Sequence, residues 1–208
     1  MCIRDRLQVE HPVTEMITGV DLVKEQIKIA KGHTLSFSQE DLSVQGHALE
    51  VRVYAEDPMN NFAPDIGKLK RYILPDSVGV RLDNGFEEGM EIPIYYDSML
   101  SKLITYGKDR EEAISRMKRA IMDYTVAGVK TTLPFALFVM GHPNFVNGDF
   151  DTHFVKTHFT DPSVLDKSCE EEAEIAALLA RHLQIKSPSL ETVVAQTEKI
   201  SNWKKHRR

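Results

Sequence analysis

Apolar residues recur with two different periods along this chain, and the change of period divides it. From His47 to Tyr54 the spacing is two: His47, Leu49, Val51 and Val53 alternate with Ala48, Glu50, Arg52 and Tyr54, the pattern of a strand with one buried face. Glu50, Arg52 and Tyr54 are therefore predicted to point the same way. Further alternating runs cover Leu69 to Leu74, Val78 to Leu82 and Leu100 to Tyr106, separated by turn-rich segments such as Pro64-Asp65-Ile66-Gly67 and Asp83-Asn84-Gly85. Several strands without intervening helices imply an antiparallel sheet.

Helical spacing brackets this block. Ahead of it, Thr14 can cap a short turn that Gly19 interrupts, and Asp21 starts a helix with apolar positions Leu22, Val23, Ile27 and Ile29 that runs to Lys31-Gly32. After the strands, Asp109 and Glu112 make a capping box in front of Ala113, Met117, Ala120, Ile121 and Tyr124. Another helix runs from Thr132 to Met140 and stops at Gly141-His142-Pro143. Beyond His153 the pattern weakens until Ser168 and Glu171 form a second capping box before Ile175, Ala176, Leu178, Leu179 and Leu183, and a last helix covers Leu190 to Trp203. The expected fold class is α+β, an antiparallel sheet packed with helices. The polar stretch from His33 to Ser43 reads as a connection, which suggests three parts: residues 1–43, residues 44–154 and a helical extension over 155–208.

The opening Leu7 to Met16, LQVEHPVTEM, reads as a short extended run with Gln8 and Glu10 on one face, stopped at His11-Pro12. Glu10, beside His11, two residues from Gln8 and four from Arg6, can be a general base whose partner cation binds an anion, or half of a salt bridge at a strand end. Arg52 can be a surface cation paired with Glu50, or a site residue if another segment supplies its partner. Asp97, in Tyr95-Tyr96-Asp97-Ser98-Met99, can cap a turn. Spacing leaves each alternative open.

Composition narrows the classes. The 208 residues carry 26 basic and 31 acidic side chains, a formal net charge of -5, so nucleic acid is not an expected partner. The terminal Lys204-Lys205-His206-Arg207-Arg208 reads as a solvated tail. Cys2 and Cys169 lack the spacing of a zinc site or a disulfide framework, the run from Leu133 to Met140 is too short to span a bilayer, and the N-terminus has no signal-peptide core. A cytoplasmic protein is the expectation. None of the eight histidines makes a helical i, i+4 metal pair, and Gly85 and Gly89 do not form a phosphate loop.

In order, the blocks LQVEHPVTEMITGVDLVKEQIKIAKG, GHALEVRVYAEDP, GKLKRY, YYDSMLSKLITYG, REEAISRMKRAI, GVKTTLPF and HPNFVNGDFDTHF resemble the C-terminal part of biotin carboxylases. These are the ATP-grasp subunits or domains of acetyl-CoA, propionyl-CoA, methylcrotonyl-CoA and pyruvate carboxylases. The resemblance covers residues 6–154, and its first two blocks are the specific ones. It implies an enzyme that uses MgATP and bicarbonate to make carboxyphosphate and then carboxylates biotin on a carrier protein. Residue by residue, it implies Glu10 as the base that deprotonates bicarbonate, Arg6 with the backbone around Gln8 and Val9 as the bicarbonate cradle, and Arg52 as the group that stabilises the biotin enolate. Asp97 would support the site from behind. These roles make physical sense, because bicarbonate is a poor nucleophile until it loses its proton and guanidinium groups favour anions.

The same resemblance implies a biotin carboxyl carrier protein and a carboxyltransferase component as partners, and a homodimer through residues near Arg81. Cys2 and Arg4 stand where the family has glutamate and asparagine metal ligands, and Asp5 where it has threonine, so no metal site is expected here. The opening Met1-Cys2-Ile3-Arg4-Asp5-Arg6 departs abruptly from the pattern and reads as foreign to it, although Arg6 matches the family's arginine. The family's glycine-rich lid, phosphate-binding lysines and adenine pocket precede the matching region, so the chain alone is expected to be inactive and to hold neither ATP, Mg nor biotin tightly. Two alternatives are a noncatalytic assembly module of a carboxylase complex and a metal-dependent hydrolase built on Glu10 and His11. The carboxylase reading requires Glu10 and Arg52 to face the same solvent-poor hollow.

Overall fold

The structure is a computed structural model that describes residues 6–93, 95–168 and 178–179. It divides into two units, Met1–Leu165 and Asp166–Arg208, and the architecture that follows is that of the first. Cys2, Arg4, Asp5, Glu171 and the expected helix from Leu190 to Trp203 lie outside the described residues.

The chain enters through a turn at Val9-Glu10 and goes directly into α1 (His11–Thr18). This corrects the reading of the opening as a strand. Pro12 sits in the first turn of α1, where its fixed φ is already helical and its missing N–H costs no hydrogen bond. A proline that looks like a stop is here a helix start. Gly19, at φ 75°, closes α1 in the left-handed conformation that glycine adopts without strain.

In α2 (Leu22–Ala30), Asp21 accepts a hydrogen bond from the Lys24 amide as expected of a cap. The apolar positions Val23, Ile27 and Ile29 of α2 are exposed, and Glu25 is the buried residue. Periodicity shows that the apolar positions share a side of the helix but not what covers that side. Glu25 is buried because Lys28 and Ser36 satisfy its carboxylate.

The central sheet places β1 (His47–Tyr54) beside β6 (Met99–Gly107), and β6 beside β5 (Val80–Asn84), all antiparallel. Short pairs flank it: β2 (Glu56–Asp57) with β3 (Ala63–Pro64), and β4 (Arg71–Ile73) with β7 (Thr125–Ala127). Helix α3 (Arg110–Asp123) covers one face, and Val51, Val53 and Leu103 join its Ile114, Met117 and Ile121 in the core. Asp109 caps α3 at the Glu112 amide, while the Glu112 carboxylate reaches back to the Lys108 amide, one residue earlier than a strict capping box. The remaining helices are α4 (Leu133–Gly141), α5 (Pro143–Asn147) and α6 (Phe154–His158). Thr132 fastens the start of α4 to the free edge of β1, since its amide donates to the Tyr54 carbonyl and its hydroxyl accepts from the Tyr54 amide.

Where α3 ends, four polar groups form a chain that runs from the interior to the surface at Asn84. Ser101 Oγ lies 2.8 Å from Tyr124 Oη, Tyr124 Oη lies 2.6 Å from Tyr72 Oη, and the Tyr72 hydroxyl donates to Asn84 at 2.8 Å. Burial pushes the Tyr124 phenol up, so it remains a donor. The architecture is α+β, antiparallel sheet packed with helices.

The other face of the sheet is charged. Register sets Arg52 opposite Lys102 and Lys102 opposite Asp83, while Glu50 faces Ile104 and Ile104 faces Arg81. Helix α1 packs on β1 and β6, and Arg81 on this face reaches Glu15 of α1. The fully buried Ile104 is the apolar contact in this otherwise ionic layer.

Candidate functional site

Glu10 is the last residue before α1, and the turn that carries it is held to the sheet by side chains. Arg52 Nη2 donates to Glu10 Oε2 at 2.9 Å, and Lys102 Nζ donates to the Val9 carbonyl at 3.3 Å. Within the turn, the His11 amide donates to the Gln8 carbonyl and His11 Nδ1 lies 2.8 Å from the same oxygen. Arg6, Gln8, Glu10 and His11 line a cavity of about 700 Å³ that extends over Leu22 and Ile29 of α2. Leu7 lines the same cavity, so it is the turn and not a strand alternation that brings Gln8 and Glu10 to it.

Arg52 belongs to β1, and with Glu50, Tyr54 and Phe135 it lines a second cavity of about 370 Å³ at the strand's edge. Glu50, Arg52 and Tyr54 share that cavity, in line with the period of two. The ion pair therefore joins a residue of each hollow. Glu10 and Arg52 thus line separate cavities, and at 55% and 40% exposed their ion pair is open to solvent, so the single solvent-poor hollow expected of them is not found.

Glu50 differs from both. Its side chain is 4% exposed, its carboxylate lies 3.8 Å from Arg52 Nε, and neither oxygen has a hydrogen-bond partner. Burial pushes its carboxyl up, against a downward pull from Lys102 and Arg52. Asp97 stands apart: it lies on the surface before β6, and its carboxylate accepts from the Met99 amide, the turn-cap role open to it from sequence. It lines neither cavity. Arg81 is held within the chain by Glu15 at 2.7 Å and by Asp83 at 2.9 Å. Among the described residues no group of three or more His, Cys, Asp or Glu could hold a metal ion.

Lys102 lies in the block YYDSMLSKLITYG but has no role assigned from sequence. Its one sequence signal is that it is the sole charge in the run from Met99 to Gly107. In the structure it is 13% exposed and bonds Asp83 at 3.1 Å. A solvent-accessible carboxylate paired with a guanidinium is an arrangement whose chemistry suits binding and deprotonating a small oxyacid.

Comparison with known proteins supplies the family. Residues 50–157 match the biotin carboxylase C-terminal domain, and residues 1–38 match the carbamoyl-phosphate synthase L chain, ATP binding domain. Biotin carboxylase 1 of Bacillus subtilis is 52% identical over 158 residues, covering 76% of this chain and 35% of that protein. The mitochondrial propionyl-CoA carboxylase alpha chain of Mus musculus is 50% identical over 158 residues, covering 75% of this chain and 22% of that protein. Among solved structures, the biotin carboxylase domain dimer of Hydrogenobacter thermophilus 2-oxoglutarate carboxylase, in complex with MgADP, ADP and bicarbonate, superposes with a TM-score of 0.73 at 46% identity. That match covers 77% of this chain and 35% of the other. The chain belongs to the biotin carboxylase family, and it spans about a third or less of the length of these relatives. Among the described residues no helix is long and apolar enough to cross a membrane.

Proposed function

We propose that this chain supplies the bicarbonate-activating side of a biotin carboxylase centre, the ligase that charges carrier-bound biotin with carboxylate. The observation that carries this reading is the 2.9 Å pairing of Glu10 with Arg52 across 42 positions. Glu10 takes the bicarbonate proton, Arg6 and the backbone of Gln8 and Val9 hold the anion, and Arg52 stabilises the negative charge that develops on the biotin ureido group. The guanidinium already neutralises Glu10 in the resting chain, so an arriving anion exchanges one carboxylate partner for another instead of meeting bare charge. ATP, when bound, supplies the phosphoryl group that activates bicarbonate. No step is assigned to a metal ion. Asp97 acts at a distance, through the backbone entering β6. A carrier protein and a carboxyltransferase component complete the assembly, and self-association would occur near Arg81, whose charge Glu15 and Asp83 balance.

The test replaces the corresponding segment of Bacillus subtilis biotin carboxylase 1 with residues 6–165. The chimera is expected to hydrolyse ATP in a bicarbonate-dependent manner and to carboxylate free biotin. Glu10→Gln should abolish both activities, while Arg52→Gln should impair carboxylation more than ATP turnover. The isolated 208-residue chain is expected to do neither. Full activity of the Glu10→Gln chimera would remove the basis of the proposal.

A further inference from the structure

We infer that Lys102 is a positioning residue for the anion-binding turn, orienting the peptide between Val9 and Glu10 so that the Glu10 amide can donate to a bound oxyanion. The inference deepens the reading of Glu10 as the bicarbonate base and rests on it. Its starting point is the 3.3 Å bond from Lys102 Nζ to the Val9 carbonyl, across 93 positions. A peptide unit is planar and trans, so its C=O and the following N–H point in opposite directions. When Lys102 draws the Val9 carbonyl down onto the sheet, the Glu10 N–H turns away from the sheet, on the side opposite the ammonium.

The lysine is built to hold this setting. Its side chain is 13% exposed, Asp83 bonds it at 3.1 Å, and it lies in register between Asp83 on β5 and Arg52 on β1. Two cations side by side on neighbouring strands repel. Here Glu10 and Glu50 on one flank and Asp83 on the other separate their charges, and Arg81 fixes Asp83 in turn. Lys102 and Arg52 thereby grip successive residues of one turn, the first by its backbone and the second by its carboxylate. A reacting acid needs such a double hold, because a small misplacement of a catalytic group costs large factors in rate.

The experiment uses the 208-residue chain, isotopically labelled, as wild type, Lys102→Met, Lys102→Arg and Asp83→Asn. Without ligand, Lys102→Met should shift the Val9 carbonyl-carbon and Glu10 amide resonances, with Lys102→Arg restoring them. Asp83→Asn, which loosens the ammonium without deleting it, should move them less in the same direction, and it serves as the second variant should Lys102→Met not fold. On titration with sodium bicarbonate the wild-type Glu10 amide should respond, and Lys102→Met should weaken that binding about tenfold, or ~1.4 kcal/mol. Val9 and Glu10 resonances indifferent to Lys102→Met and Asp83→Asn would overturn the inference whatever bicarbonate does. Resonances that shift with Lys102 but never with bicarbonate, even in the wild type, would overturn the oxyanion role of the Glu10 amide, whereas full activity of the Glu10→Gln chimera would overturn the reading of Glu10 as the bicarbonate base.

Discussion

Arg52 Nη2 lies 2.9 Å from Glu10 Oε2, although 42 positions separate the two residues and each side chain is two-fifths exposed or more. Such an exposed pair contributes little to stability, because water screens it and two long side chains lose freedom in forming it. A double-mutant cycle on Glu10→Gln and Arg52→Met should give a coupling of about 0.2–1 kcal/mol by urea denaturation. A coupling well above that range would make the pair a structural clasp instead of a reactive one.

Glu25 should govern acid stability. Hydrogen bonds from Lys28 and then Ser36 hold its carboxyl at about 2, against an ordinary 4.5. A carboxyl lowered in the folded state stabilises fully above its unfolded value, and the contribution drains away as pH falls through the folded one. The thermal midpoint of the wild type should therefore exceed that of Glu25→Gln at neutral pH. The two melting curves should converge as the pH is taken from about 4.5 towards 2; a constant gap would contradict the assignment.

Glu50 should behave in the opposite sense. Burial raises its carboxyl above the ordinary 4.5, so the folded chain holds its proton more tightly than the unfolded one, and ionisation weakens the fold as pH rises. Glu50→Gln should melt higher than the wild type at neutral pH, and the advantage should fade below about 4.5. A lower midpoint at neutral pH would mean that the 3.8 Å approach to Arg52 outweighs the desolvation of the carboxylate.

Tyr124→Phe removes the middle hydroxyl of the chain from Ser101 to Asn84. Ser101 and Tyr72 lose a partner in the interior, where an unsatisfied group is costly, so a loss of about 1–3 kcal/mol is expected from chemical denaturation. The costs of Tyr72→Phe and Tyr124→Phe should sum to more than that of the double substitution, because both hydroxyls belong to one chain. Strict additivity would show that the chain is not cooperative.

The elements whose signals are local were legible in the residues. Alternation placed β1 and the shared direction of Glu50, Arg52 and Tyr54, and Asp21 and Asp109 marked the helix starts they cap. The opening was misread because four alternating residues before a proline serve a turn and a helix N-terminus as well as a strand. Which residues α2 buries was not legible, because helical period carries no information about what covers a face.

By itself, then, the sequence determined the α+β class, the family through its ordered blocks, and Glu10 and Arg52 as the residues of interest, since periods, caps and motifs are properties of neighbouring positions. Only the tertiary structure decided that Glu10 of one cavity pairs with Arg52 of another, that Glu50 is buried without a hydrogen-bond partner, and that Lys102 grips the Val9 carbonyl. These facts depend on strand register and on how α1 lies across the sheet, and both are set by packing among residues far apart in the chain.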